Sequence, residues 1–285
     1  MGPSTRWQVA MLSDTGRGRV ANEDVILVDR ACGLAVVADG VGGHKGGVVA
    51  ARTAVASVRD GVRERVHLFD PESPLPEPGK LSRMGRWILD LLLGINQAIH
   101  LKARKAPGRL GGMCTALVMA LFHGNRVIIA NVGDCRLYRF RENRCERLTT
   151  DHTLYQEWLD RGCPAWEAWD SVSAHVLAQA LGSQEEVRPA VREERVLHGD
   201  TFLLCSDGLT DMVKEEEIFR VVQQSESLSV AATSLVAKAN AAGGTDNISV
   251  VLIRTLGPFR PRRVWWMPLR ALWHRLSFQL RLGQP

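Results

Sequence analysis

The sequence lacks the features that mark secreted, membrane-spanning and zinc-binding proteins. Its first residues do not place a charged segment before an apolar one, so we expect no secretory signal peptide. No stretch reaches about 18 uninterrupted apolar residues, the length that a membrane-spanning helix needs. None of the six cysteines forms a CxxC pair, which favours reduced, mostly buried thiols over a disulfide framework or a zinc site. Together these absences predict a cytoplasmic protein.

Acidic residues are missing from one end of the chain. Residues 256–285 contain six arginines and no Asp or Glu, whereas the formal net charge of the whole chain is +5. Subtracting those six charges leaves −1 for the remainder, which is therefore close to neutral. We expect no nucleic-acid binding, because that function requires a basic face on the folded domain. The pattern predicts one globular domain over 1–255 and a basic tail over 256–285.

The apolar residues predict a mixture of strands and helices. The strands are grouped rather than alternating strictly with helices, which favours an α+β fold with antiparallel sheets over a doubly wound parallel sheet. Short β-rich runs bounded by Gly, Asp or Asn predict strands at 33–38, 115–122, 126–132, 201–205 and 248–253. Longer periodic segments predict helices at 46–66, 82–104, 214–224 and 227–241.

Carboxylates stand at the ends of most predicted buried strands. Asp39, Asp134 and Asp207 close apolar runs, whereas Asp246 and the pair Glu23–Asp24 precede such runs. A single aspartate of this kind is usually a turn residue. Five in the same context favour a shared site, because converging carboxylates repel one another unless a cation lies between them. Oxygen ligands without His or Cys favour Mg²⁺ or Mn²⁺, and two such ions are typical of phosphoester hydrolysis.

Five motifs follow one another along the chain: SDTGRGRVANED (13–24), VVADGVGGHKGG (36–47), NVGDCRLYRF (131–140), LLCSDGLTD (203–211) and GGTDNISVVLIR (243–254). In this order they resemble the PP2C-type (PPM) protein serine/threonine phosphatases in their bacterial form. The resemblance covers about residues 7–254. It implies an α-β-β-α sandwich of two packed antiparallel sheets flanked by helices, with the metal ions at one end.

The resemblance implies a specific set of metal ligands. Asp39 would bridge two Mn²⁺ or Mg²⁺ ions, and the carbonyl group of Gly40 would bind one of them. Asp207 and Asp246 would bind the ion on one side. Thr245 and Asn247, which flank Asp246, are expected to shape the turn that presents it.

Four further residues receive roles from the same resemblance. Glu23 and Asp24 would hold metal-bound waters, and Asp134 would help to bind a labile third ion. Arg19 would bind the substrate phosphate, a task that suits a guanidinium because its fork contacts two oxygens at once. The implied reaction is direct attack by a metal-bridging water on phosphoserine or phosphothreonine, without a phosphoenzyme.

The chain departs from the eukaryotic members of the family beside the metal ligands. Those members carry a histidine directly after the Asp-Gly pair, proposed as the general acid, whereas this chain has Val41. The nearest histidine is His44, for which a structural role, a contact with phosphate and a catalytic role all stay open. A metal-bound water is the alternative proton donor. The identity of the acid is therefore left unassigned by the sequence.

A region next to the predicted site, 153–182, corresponds to the variable flap of the family. Asp151 or Thr150 is expected to cap the helix that begins there, and His152 to have a structural role at its start. Three tryptophans in the flap either pack within it or contact a substrate protein. They are Trp158, Trp166 and Trp169.

The tail forms a basic amphipathic pattern when it is projected as a helix. Residues 260–282 place Trp and Leu on one face and Arg and His on the other. This composition is typical of helices that lie on a membrane surface or dock onto a protein, and packing against its own domain is the third reading. The segment is too short and too charged to span a bilayer.

The leading hypothesis is an active phosphatase for phosphoserine and phosphothreonine proteins, opposing a cognate serine/threonine kinase. It would act in the cytoplasm, or peripherally at the inner membrane surface through the tail. The alternative is a catalytically silent phosphatase-fold protein that regulates or binds a partner. The intact set of Asp39, Asp207, Asp246 and Arg19 argues against that alternative, because loss of a ligand is typical of such proteins.

Overall fold

The fold described here is a computed structural model, and it describes residues 7–42, 46–163 and 175–257. Ten strands form two five-stranded sheets in which all neighbouring strands are antiparallel. The predicted α+β fold with antiparallel sheets is therefore confirmed.

The first sheet has the strand order β1-β10-β9-β6-β7. Its central strands, β9 and β10, are buried along almost their whole length, which explains their continuous apolar sequences. The bounds are Trp7–Asp14 for β1, Arg136–Arg141 for β6, Arg144–Arg147 for β7, Thr201–Cys205 for β9 and Ile248–Thr255 for β10.

The second sheet has the strand order β2-β3-β4-β5-β8. Strands β4 and β5 are fully buried, and β8 forms an edge rich in charged residues, which discourages pairing with another chain. The bounds are Val25–Asp29 for β2, Leu34–Val41 for β3, Cys114–His123 for β4, Arg126–Val132 for β5 and Ala190–Arg195 for β8.

Helices cover the outer face of each sheet. The helices α1 (Gly46–Arg65) and α2 (Arg83–Lys105) pack on the second sheet, and α6 (Glu215–Gln224) and α7 (Leu228–Ala241) pack on the first. Three short helices complete the described set: α3 (Pro107–Leu110), α4 (Leu154–Asp160) and α5 (Asp207–Thr210). This arrangement confirms the predicted α-β-β-α sandwich.

A third apolar core holds the two sheets together face to face. The ring of Phe122 on β4 lies between Trp7 on β1 and Phe202 on β9, with centroid distances of 4.8 and 5.2 Å. Edge-to-face contacts of this kind stabilise beyond the apolar area that they bury. Because the sheets are fixed against each other, the ends of their strands form a rigid rim.

The helix starts follow their capping residues. Ser82 and Ser227 accept hydrogen bonds from the third residue beyond them and so begin α2 and α7. The predicted cap of α4 is wrong, because Thr153 accepts from the backbone N–H of Gln156 instead of Asp151 or Thr150. Asp151 forms an ion pair with Arg136 at 2.6 Å, which leaves its carboxylate unavailable to the helix.

Some predictions fall outside the described residues. They concern the amphipathic pattern of 260–282 in the tail, the role of His44, and Trp166 and Trp169 in the flap. None of the helices within the described ranges has the length and hydrophobicity needed to cross a bilayer.

Candidate metal centre and active site

The predicted site residues meet where strand ends of both sheets come together. Asp39 lies in β3, Asp134 follows β5, Asp207 follows β9 as the first residue of α5, and Asp246 precedes β10. A cavity of about 1070 Å³ opens at this rim. Seven of the eight predicted residues line it: Arg19, Glu23, Asp39, Gly40, Asp134, Asp207 and Asp246.

The eighth residue, Asp24, lies behind the cavity wall. Its side chain is buried, and Oδ2 accepts a hydrogen bond of 2.8 Å from Oγ of Ser206. Besides burial, the charges of Asp207, Asp24, Asp134 and Asp246 all raise the pKa of Asp39. Asp39 is therefore surrounded by the other carboxyl groups of the cluster.

Burial, and after it mutual repulsion, raises the pKa values of the carboxyl groups in the cluster. Burial, followed by the charge of Asp207, raises the pKa of Asp39 well above its usual range, even though the cavity leaves part of the residue accessible. Burial and then the charge of Asp134 do the same for Asp207. Burial is also the main cause that raises the pKa of Asp24 and of Asp134 to about 6. Without a cation, these carboxyl groups therefore retain protons more strongly than exposed ones do, because ionising all of them would concentrate negative charge in a poorly solvated place.

Two oxygen atoms in this cluster lack hydrogen-bond partners among the described residues. They are Oδ1 of Asp24 and Oδ1 of Asp207, and both are buried. Buried polar atoms without partners are costly, so a ligand that contacts them stabilises the site. A hard divalent cation does this and also neutralises the repulsion between carboxylates. The donor set thus fits Mn²⁺ or Mg²⁺ on an observation that is independent of the sequence motifs.

The carboxylates surround the cavity without converging on one point. Within the described ranges, no three His, Cys, Asp or Glu side chains stand in the arrangement of a closed ligand shell. Binding of an ion would therefore draw these side chains inward from the cavity walls. The rim itself does not need to move, since the strands that carry the ligands are fixed by the inner core.

Arg19 lines the cavity and contacts one of the predicted metal ligands. Its Nη2 donates a hydrogen bond of 2.6 Å to Oδ2 of Asp246, and about half of its side chain is exposed. This contact raises the pKa of the guanidinium. The predicted phosphate ligand and a predicted metal ligand are therefore ion-paired in this structure.

Asn247 connects the loop that carries Arg19 to Asp246. Its buried side chain donates to the carbonyl groups of Thr15 and Ala21 at 2.8 and 3.0 Å, and its Oδ1 accepts from the N–H of Glu23 at 2.8 Å. Its own N–H donates to Oδ1 of Asp246 at 2.7 Å. The predicted role in shaping the turn is confirmed, and the contacts to the distant loop were not predicted.

Glycines let the backbone approach the ligands closely. A Cβ added to Gly47 would lie 2.2 Å from Oε2 of Glu23 and 2.4 Å from the carbonyl oxygen of Gly40. A Cβ added to Gly16, whose φ is +75°, would lie 2.0 Å from the carbonyl oxygen of Asp246. The glycines of the first two motifs therefore keep the predicted carbonyl ligand and the predicted carboxylate ligands in place.

Three titratable side chains that line the cavity, Cys114, His175 and Asp211, were not assigned from the sequence. Burial raises the pKa of the Cys114 thiol, which lies at the cavity wall. His175 also lines the cavity, and its Nδ1 lies 3.3 Å from Oδ2 of Asp211. A single histidine in a variable flap belongs to no periodic pattern and no motif of fixed spacing. Its position in the cavity therefore could not be predicted from the sequence.

Comparisons with known proteins agree with the motifs and the fold. Residues 19–240 match the family described as protein phosphatase 2C. The serine/threonine phosphatase stp of Listeria welshimeri is 36% identical over 245 residues, which cover 85% of this chain and 93% of that protein.

Solved structures give the same result. The serine/threonine phosphatase PstP/Ppp of Mycobacterium tuberculosis has a TM-score of 0.75 and 31% identity, covering 88% of this chain and 99% of that one. The catalytic domain of PstP in complex with two manganese ions has a TM-score of 0.71 and 31% identity, covering 88% and 98%.

Proposed function

This chain belongs to the protein phosphatase 2C family and is a metal-dependent protein serine/threonine phosphatase, and we propose that the carboxylate cluster around Asp39 is its active site. The observation that carries this proposal is the cavity in which seven of the predicted residues meet. Its substrates are phosphoproteins.

We propose that Asp39, Asp207 and Asp246 hold two Mn²⁺ or Mg²⁺ ions, together with the carbonyl group of Gly40. When bound, the ions supply positive charge that acidifies a coordinated water and stabilises the charge that develops on the phosphoryl group. Glu23 and Asp24 support the inner ligands, and Asp134 is the proposed ligand of a third ion. The unpartnered oxygens of Asp24 and Asp207 support this assignment.

Arg19 is the proposed ligand of the substrate phosphate. Its half-exposed guanidinium stands at the cavity wall, so a phosphorylated side chain can reach it from solvent. Because guanidinium and phosphate form two parallel hydrogen bonds, the contact fixes the orientation of the ester as well as its charge. The whole guanidinium group would be available to phosphate once its present partner, Asp246, binds another cation.

Direct hydrolysis is favoured over a covalent phosphocysteine. Cys114 is the one thiol among the described residues that line the cavity, and burial raises its pKa. A protonated thiol is a poor nucleophile, since the thiolate is the reactive form. The proposed nucleophile is therefore water.

The phosphoprotein substrates must be made by a kinase that phosphorylates serine and threonine in proteins. Such a kinase is the proposed opposing partner. We also propose that the enzyme acts in the cytoplasm, with contact to a membrane surface or a partner protein through 260–282. All six cysteines are free, which supports a reducing compartment.

Hydrolysis of a phosphothreonine peptide tests the proposal. The full chain is freed of metal with a chelator, then assayed before and after addition of Mn²⁺ or Mg²⁺. We expect turnover that depends on metal and is lost in Asp39→Asn. Asp60→Asn is the control, because Asp60 is an exposed aspartate that pairs with Arg59 on α1. Folded protein without turnover in either metal would instead support the silent binding protein.

A further inference from the structure

The serine or threonine oxygen that leaves phosphorus is strongly basic and needs a proton as the ester bond breaks. The proposed function assigns no residue to this step. Val41 occupies the position at which eukaryotic relatives have a histidine, and its side chain can neither donate nor accept a proton. Among the described residues, a side-chain donor must therefore come from another element of the fold.

The cavity walls offer few candidates. Carboxylates that bind metal ions are ionised and have no proton to give, and a guanidinium does not release its proton in proteins. Burial raises the pKa of the Cys114 thiol, which makes it a weak acid. His152 is half-buried, and its Nδ1 accepts a hydrogen bond of 3.3 Å from the N–H of Gly133. Its backbone and ring are therefore engaged outside the cavity.

His175 is the one imidazole among the described residues that line the cavity. It belongs to the same cavity wall as Leu177, Ala180 and Asp211 and shares the cavity with Asp39 and Arg19. Two thirds of its side chain, 66%, is exposed, so a substrate can reach it. An imidazole is the side chain most often used as a general acid near neutral pH.

Asp211 fixes the imidazole. Its Oδ2 lies 3.3 Å from Nδ1 of His175, and the pair becomes an ion pair when the ring is protonated. The backbone N–H of Asp211 donates to the carbonyl oxygen of Asp207 at 2.8 Å, which ties this pair to the turn that carries a proposed metal ligand. Since Nδ1 faces Asp211, the proton available to a substrate is the one on Nε2.

We propose that His175 is the proton donor to the leaving serine or threonine oxygen and that Asp211 is its positioning residue. This assignment rests on the proposed function of the site. The water oxygen forms the new bond to phosphorus, and the bond from phosphorus to the side-chain oxygen breaks. The electron pair of the broken bond stays on that oxygen, which takes the proton from Nε2. The neutral imidazole then regains a proton from solvent, which has accepted one from the attacking water.

The leaving group provides the test. A phosphothreonine peptide releases an alkoxide that needs a proton, whereas p-nitrophenyl phosphate releases a stabilised phenolate that does not. In the metal-loaded full chain, we expect His175→Gln to lower kcat on the peptide by about 10²-fold and to change kcat on p-nitrophenyl phosphate by less than about threefold. Asp211→Asn should also lower kcat on the peptide more than kcat on p-nitrophenyl phosphate, but by a smaller factor than His175→Gln does.

Two controls separate chemistry from structure. His198→Gln replaces an exposed histidine outside the cavity and should leave kcat on both substrates unchanged. Added imidazole should restore peptide hydrolysis by His175→Ala, because the site is open to solvent.

Equal losses on both substrates, or no loss on the peptide, would overturn the role of His175 while leaving the phosphatase assignment intact. Absence of metal-dependent turnover in the unmodified chain on both substrates would overturn the proposed function and this role with it.

Discussion

Nη2 of Arg19 and Oδ2 of Asp246 lie 2.6 Å apart, so the proposed phosphate ligand is ion-paired with a proposed metal ligand. A divalent cation held by Asp246, as proposed, would compete with the guanidinium for this carboxylate, and Arg19 would then be available to the phosphate. We therefore predict that metal binds before substrate.

Substitution of Arg19 should separate substrate binding from metal binding. Arg19→Ala removes the phosphate contact and should lower kcat/KM for a phosphothreonine peptide by about 10²-fold. It also removes the competitor for Asp246, so calorimetric titration should show Mn²⁺ affinity that is unchanged or higher. Arg19→Lys should recover part of the loss, since lysine keeps the charge without the fork. Weaker Mn²⁺ binding by Arg19→Ala would contradict the competition.

The stability of the metal-free protein should respond to the charge of Asp134. Burial, and then the charge of Asp151, raises the pKa of Asp134 from its ordinary 3.8 to about 6 in the folded state. The folded protein therefore binds more protons than the unfolded one between these values, and its stability rises as the pH falls. Above pH 7 the ionised group should destabilise the fold by about 2–3 kcal/mol.

Asp134→Asn isolates this effect. In the presence of a chelator, the variant should be more stable than the original chain at pH 7.5, and the difference should disappear near pH 4. The buried His123 and the half-buried His152, whose pKa values are lowered mainly by loss of solvent, act in the opposite sense, but they titrate in both proteins and cancel in the comparison. Urea unfolding at several pH values measures the difference in the free energy of unfolding between the two proteins. A difference that does not change with pH would contradict the raised pKa of Asp134.

Asn247 should be essential for the geometry of the loop that carries Arg19. Asn247→Ala leaves two carbonyl groups and the N–H of Glu23 without their partner and should destabilise the fold by about 3 kcal/mol. Thr245→Ala, two positions earlier, removes an exposed side chain with one weak contact to the sulfur of Met212 and should change stability by less than about 0.5 kcal/mol. Urea unfolding of the two variants checks the contrast. Similar values for both would show that the Asn247 contacts are unimportant.

A methyl group at Gly47 should disturb the site although alanine favours helices. The added Cβ would overlap the carboxylate of Glu23 and the carbonyl group of Gly40, so Gly47→Ala should weaken Mn²⁺ binding and lower kcat/KM. Gly94→Ala in α2 is the control, because nothing lies within 4 Å of its Cβ position. That variant should keep full activity and gain about 0.5–1 kcal/mol of stability. Unchanged Mn²⁺ affinity in Gly47→Ala would mean that the Gly40 carbonyl group is not a ligand.

The sequence predicts the buried elements better than the edges. Strands such as β5 and β9 are continuous apolar runs, and their bounds agree with prediction to the residue or nearly so. By contrast, β8 carries Arg192, Glu193, Glu194 and Arg195 among its six residues and has no apolar signal. It becomes a strand because it pairs with β5, and its position in the sheet depends on that tertiary contact.

The same limit applies to the site. Aspartates next to buried strands were predictable, because strand ends of packed sheets converge and charge at such places needs a partner. The contacts of Asn247 and the position of His175 depend on loops from distant parts of the sequence, and local patterns do not encode those approaches. The contact of Arg19 with Asp246 spans 227 positions along the chain and is likewise visible only in the fold.

Calorimetric titration of the chelator-treated full chain with Mn²⁺, with phosphate release from a phosphothreonine peptide measured in the same samples, tests the metal-dependent mechanism most directly. We predict two bound ions per chain and phosphate release that rises as the second site fills. Asp39→Asn should lose both the binding and at least about 99% of the turnover. Phosphate release by the metal-free protein, or turnover in Asp39→Asn equal to that of the original chain, would contradict the account.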